Sequence, residues 1–189
     1  MSEYTLETNQ QTNEETKMSN YKTPAEAAKE IRTALKKAKG ITSRQVSVRS
    51  ESYSMGSSIR LTIKDPSISK EWVEEIAKEQ QSISRCEYSG DILSGGNRFV
   101  FVDYSREAEE ALAAPHLEAV RKAFEEIQSR PEGERFDPAP ITSSPREAWL
   151  TWEGSESFEL YVPSEETYGH RSVWGLEGVA MTLGKILAA

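Results

Sequence analysis

The chain has 189 residues, 37% of them apolar, and a formal net charge of −8. That bounds it to one domain, or one domain with a small appendage, around a modest core. Its longest uncharged apolar runs, 99–102 and 178–183, are too short to span a membrane, and the polar, acidic start has no apolar core of a secretory signal. A single cysteine, Cys86, excludes an internal disulfide. With only His116 and His170 beside it, no zinc site is expected, no cofactor is called for, and the expected setting is the reducing cytoplasm.

Charge is unevenly placed. Residues 1–21 carry a net −3, residues 22–70 a net +7 (eleven Lys/Arg against four acids), and residues 71–189 a net −12. Such polarity speaks to partners rather than to fold. The basic block suits phosphate and the acidic remainder suits a basic protein surface. Alternatively the two parts attract each other, or both are solvated faces.

Residues 1–21 are Glu, Asn, Gln, Thr and Ser with almost nothing to bury, which predicts a disordered acidic tail. Thr23-Pro24-Ala25-Glu26 is a helix start: Thr23 caps, Pro24 suits the first turn and Glu26 completes a capping box. Ala28, Ile31, Leu35 and Ala38 follow at helical spacing, and Gly40 ends a helix over 24–39. Two period-2 strands come next, 45–49 and 59–64, joined by a moderately long loop at 53–58. Their alternation places Arg49, Arg60 and Lys64 together on the polar face. Asp65-Pro66 stops the second strand, and Ser69 caps a helix over 69–81 with Ile68 and Val73 as a hydrophobic staple.

A second hairpin is expected from a weaker strand at 85–93, a Ser94-Gly95-Gly96-Asn97 turn and a strong strand at 98–104 (RFVFVDY). Both faces of that last strand are apolar, which predicts a strand that is central or covered on both sides. A helix starts near Ser105, and Pro115 predicts a break or kink before the amphipathic stretch Leu117, Val120, Phe124, Ile127. Residues 130–146 hold four of the eight prolines and read as a linker. A third hairpin (147–152 with 158–162) and a helix over 173–187 form an aromatic-rich extension. The chain therefore divides into a tail (1–21), an α+β domain (22–129), a linker (130–146) and an extension (147–189). The fold expected is α+β, order α-β-β-α-β-β-α: an antiparallel sheet built from hairpins, with helices on one face.

No arrangement of catalytic residues stands out. Tyr53-Ser54-Met55-Gly56-Ser57-Ser58 resembles a phosphate-cradling loop only superficially: it lacks the Gly-Lys-Ser/Thr ending and runs into a strand. Ser54, Ser57 and Ser58 have no nucleophile elbow, and His116 and His170 read as surface or cap histidines without an identifiable partner. Cys86 reads as a structural thiol. The pairs Glu74/Glu75, Glu109/Glu110 and Glu125/Glu126 are helix neighbours that point apart. The aromatic cluster reads either as core of the extension or as a recognition patch through Trp149, Trp152 and Trp174. The protein is thus expected to be a binding module more than an enzyme.

The run Val48-Arg49-Ser50-Glu51-Ser52-Tyr53-Ser54-Met55-Gly56-Ser57-Ser58-Ile59-Arg60 resembles the core of the large polyvalent protein-associated domain 29. So do Gly90-Asp91-Ile92-Leu93-Ser94-Gly95-Gly96-Asn97-Arg98-Phe99-Val100-Phe101-Val102 and the helix at 27–39. The resemblance spans residues 24–104. It departs at Leu61-Thr62-Ile63-Lys64-Asp65-Pro66, where the family often carries an aromatic. It implies a phage or conjugative-element context and an accessory role, and carries over no catalytic residue. The expected function is a non-enzymatic accessory module contacting nucleic acid through a basic sheet face (Arg49, Arg60, Lys64, with Lys36 and Lys37). The alternative is an acidic inhibitor or adaptor that docks on a host defence protein.

Overall fold

A computed structural model describes residues 22–93, 95–142, 147–163 and 168–188; the expected N-terminal tail, Ser94 of the glycine turn and residues 143–146 of the expected linker lie outside them. The fold is α+β. The elements are α1 (Pro24–Lys39), β1 (Val46–Tyr53), β2 (Gly56–Ile63), α2 (Lys70–Lys78), β3 (Asn97–Tyr104), α3 (Arg106–Ser129), β4 (Ala139–Pro140), β5 (Trp149–Gly154), β6 (Ser157–Pro163), β7 (Tyr168–Trp174) and α4 (Leu176–Ala188).

Local chemistry sets the first elements where the sequence places them. The Thr23 hydroxyl accepts from the Glu26 N–H and the Glu26 carboxylate accepts from the Thr23 N–H at 2.9 Å, closing the capping box. Gly40 ends α1 in the left-handed region, with φ 67°. Ser69 caps α2, and the staple residues Ile68 and Val73 are both buried.

Strands β1 and β2 pair antiparallel with Tyr53 opposite Gly56, so only Ser54 and Met55 remain in the turn. The expected longer loop is therefore a tight hairpin, with Ser57 and Ser58 already in the ladder. Gly56 is required because a Cβ there would stand 2.6 Å from the Asn97 carbonyl oxygen.

The sheet order is β1-β2-β3, and β3 runs parallel to β2. This corrects the expected second hairpin. Residues 85–93 form no strand; single antiparallel bridges, Ser82 with Arg98 and Arg85 with Ile92, hold that segment as a loop. The edge of β2 offers β3 an apolar register that a polar 85–93 strand does not: Ile59 with Val100, Leu61 with Val102, Ile63 with Tyr104. Helix α2 is the crossover that a parallel pair needs. Strand β3 is thus an edge strand with one covered face, rather than one covered on both sides.

Ile31 and Leu35 of α1, Val73 and Ala77 of α2 and the inner residues Val46, Val48, Ile59, Leu61, Ile63, Val102 and Tyr104 form the first core. Arg98 is buried beside it, 9% exposed. Its guanidinium donates to the Gln80 carbonyl just past α2 (2.6 Å) and to the Lys22 carbonyl before α1 (2.8 Å). Carbonyls at a helix C-terminus carry partial negative charge and suit a cation.

Helix α3 runs without a break through Pro115, where a break or kink was expected. Proline removes the N–H that would bond the Ala111 carbonyl, but α4 packs along this stretch, with Gly184 against the Leu112 carbonyl and Lys185 ion-paired to Glu109. At 24 residues α3 is about 36 Å long and reaches past the first sheet. Ala108 lies in the first core, while Val120, Ala123 and Ile127 lie in a second with Leu150, Phe158, Leu160, Val162, Val179 and Leu183. The change from one core to the other therefore falls within α3. The second sheet has the order β4-β5-β6-β7. Within the stretch read as a linker, Ala139 pairs with Leu150, and Ala139 and Ile141 are buried. Strand β7 adds to the expected β5–β6 hairpin, so α4 starts at Leu176.

Candidate nucleic-acid interface

The helices cover one face of the first sheet. On the other face the register lines up three rows across the strands: Ser47–Thr62–Asp103, Arg49–Arg60–Phe101 and Glu51–Ser58–Phe99. Arg49 and Arg60 are exposed and directly opposite each other. The Arg60 guanidinium lies over the Phe101 ring at 6.0 Å from its centroid, within cation–π range. Among the described residues neither arginine makes an ion pair or a hydrogen bond. Phe101 is 45% exposed and stacks on Phe99 with ring centroids 6.4 Å apart and planes 21° from parallel. Lys64 is exposed past the strand end; nearby, hydrogen bonds from the Glu107 N–H and the Ser105 hydroxyl, and then the charges of Arg106 and Lys64, hold the Glu107 carboxyl below its usual range.

Of the three cations that the alternation places on one face, Arg49 and Arg60 stand opposite each other, while Lys64 follows past the end of β2, beyond the Thr62 row. Sequence reasoning missed Phe99 and Phe101 as members of the same face. The signal was present: Asp103 shares their parity in RFVFVDY, and a carboxylate continuing a strand face marks it as wet.

The rest of the basic block is dispersed. Lys36 and Lys37 project from α1 on the helical layer, across the sheet from Arg49 and Arg60. Lys36 lines a surface groove with Arg32, Leu35, Ile41 and Val46. Arg32 reaches over the free edge of β1 and donates to the Val48 carbonyl, covering an edge acceptor. Lys22 pairs with Glu30 at 2.7 Å, Lys39 lies 4.4 Å over the Trp72 ring, and Lys70 pairs with Asp103 and Glu74.

The three tryptophans separate. Trp152 packs half-buried against the second core, edge-on to Phe124 and stacked with Phe136. Trp149 is half-buried on the outer face of the second sheet. With Tyr161, Thr151 and Pro138 it lines a pocket of about 230 Å³. Trp174 is 72% exposed at the other end of that face, opposite Ser157.

His116 is half-buried in α3, and burial pushes its imidazole below the ordinary value. The His170 side chain lies outside the described residues. Cys86 sits in the 82–96 loop, where the Ser89 hydroxyl and then the Ser89 and Tyr88 N–H groups lower its thiol. Among the described residues no group of three or more His, Cys, Asp or Glu is arranged to hold a metal, and no helix is long and apolar enough to cross a membrane. No family model, curated protein or solved structure matches this chain.

Proposed function

We propose that this protein is a cytoplasmic, non-enzymatic binding module that contacts nucleic acid through the open face of its first sheet. The observation that carries the reading is the Arg49–Arg60–Phe101 row. It sets two guanidinium groups, free of carboxylate partners among the described residues, beside an exposed ring. Guanidinium matches phosphate and stacks on aromatic planes, and a sheet presenting both is suited to nucleic acid. The resemblance of residues 24–104 to the large polyvalent protein-associated domain 29 supports placing the module in a phage or conjugative element.

The test is a binding titration of the full chain on labelled DNA and RNA at two salt concentrations. Binding that weakens with salt is expected. Three cations correspond to a log–log slope of roughly 2 on single strands, at about 0.7 per phosphate contact. The Arg49→Ala/Arg60→Ala double variant should lose most of that slope. Absence of binding at low salt sinks the reading.

A second reading, an acidic adaptor that docks on a basic host protein, is favoured by the second sheet. There Trp174 is exposed, and Trp149 and Tyr161 line a pocket on a segment rich in Glu. Aromatic anchors of this kind are common at protein interfaces. Nuclease-resistant capture of one protein from host lysate, lost on Trp174→Ala, would support it.

A further inference from the structure

We infer that the open sheet face takes single-stranded rather than duplex nucleic acid, with bases stacked on Phe101 and Phe99 and phosphates held by Arg49, Arg60 and Lys64; this rests on the nucleic-acid reading above. Four observations point the same way.

The first is charge. Arg49, Arg60 and Lys64 share their face with Glu51 and Asp103, and Asp103 is tied to Lys70 at 3.4 Å. Non-specific duplex binding draws essentially all of its affinity from neutralising phosphates. A face with so few net cations contributes little there, so the rings must supply the rest.

The second is what the rings offer. Phe101, 45% exposed, and the half-buried Phe99 stand side by side on the open face of β3, their planes 21° from parallel. Duplex bases expose only edges in the grooves, whereas an unstacked base offers a π-face of its own.

The third is spacing. The two ring centroids stand 6.4 Å apart, the repeat of alternate residues on a strand. Bases stacked in a duplex rise about 3.4 Å each. A strand that places one base on each ring must be extended and unstacked.

The fourth is shape. Three strands at about 4.8 Å spacing, backed by α1 and α2, are broader than the two-stranded ribbon or single helix that a major groove about 12 Å wide admits. A duplex would meet this face only along its backbone, and the aromatic row would stay unused. In the single-stranded complex Arg60, now over Phe101 at 6.0 Å, has a base plane or a phosphate to engage in place of the ring.

The experiment is fluorescence anisotropy on the full chain, with labelled oligo(dT) and oligo(U) dodecamers and a mixed-sequence duplex of equal length. Both single strands are expected to bind at least tenfold more tightly than the duplex. Phe101→Ala should weaken single-strand binding by roughly 5- to 150-fold, the loss of one stacked base, with the salt slope unchanged. Phe101→Trp should restore it, and Phe101→Leu, which keeps an apolar side chain without a ring, should not. Because Phe101 is 45% exposed, these variants leave the core intact, and circular dichroism checks that they do. Preference for the deoxy or the ribo strand identifies the source of the ligand and supports the inference in either case. Equal binding of duplex and single strand, or Phe101→Ala without effect while Arg49→Ala/Arg60→Ala abolishes binding, overturns the stacking mode and leaves the nucleic-acid reading standing. No binding of any of the three at low salt overturns both.

Discussion

Arg49 and Arg60 stand directly opposite each other across the β1–β2 ladder, both exposed and with no carboxylate pairing either one among the described residues. Like charges in that relationship oppose folding. Arg49→Thr, which removes the repulsion and suits a strand, should therefore stabilise the chain by about 0.2–1 kcal/mol. Denaturant unfolding of the variant reads this directly. The same substitution should weaken oligonucleotide binding. A variant that loses stability would mean that the two cations are held by contacts that offset their repulsion.

Arg98 is the converse case, a cation committed to structure. It is buried, and its guanidinium ties β3 to the Gln80 and Lys22 carbonyls. Arg98→Met keeps the apolar stem and strands both carbonyls, so a loss of about 2–4 kcal/mol in urea unfolding is expected. A loss below about 1 kcal/mol would show that water replaces the guanidinium at no cost.

Two glycines allow backbones to meet. A Cβ at Gly56 would overlap the Asn97 carbonyl oxygen at 2.6 Å, and one at Gly184 would overlap the Leu112 carbonyl. Backbone atoms cannot swing aside as a side-chain end can. Gly56→Ala and Gly184→Ala should each cost more than about 1 kcal/mol. Hydrogen exchange should locate the first loss in β1–β3 and the second in α3 and α4.

Acid should weaken the N-terminal half first. Hydrogen bonds from the Thr23 N–H and hydroxyl hold the Glu26 carboxyl below its ordinary 4.5. The Ser67 hydroxyl, then the Gln45 amide and the Ser67 N–H, hold Asp65 below 3.8. Both folded values are depressed. The stability they contribute is present above the unfolded pKa and is lost as pH falls through the folded one. Melting temperature should therefore drop between about pH 5 and pH 3. The drop should be smaller in Glu26→Gln and Asp65→Asn, which do not titrate. Equal drops in the wild type and both variants would assign the acid sensitivity to other carboxyls.

The amino-acid sequence by itself determined the features whose causes lie within a few residues. The Thr23–Glu26 capping box, the Ser69 cap with its Ile68–Val73 staple and the Gly40 terminus all act within one helical turn. The period-2 alternation that puts Arg49 and Arg60 on one side is equally local. Only the tertiary structure decided which edge β3 joins. That choice compares the polar 85–93 segment with the apolar edge of β2, across a helix, and no window of neighbouring residues contains both. From it follow the open face of β3, the placement of Phe99 and Phe101 beside Arg60, and the burial of Arg98 against a carbonyl 76 residues away. The passage of α3 through Pro115 was decided in the same way, because helix packing from α4 outweighs a lost hydrogen bond that the local sequence could only count as a break or kink.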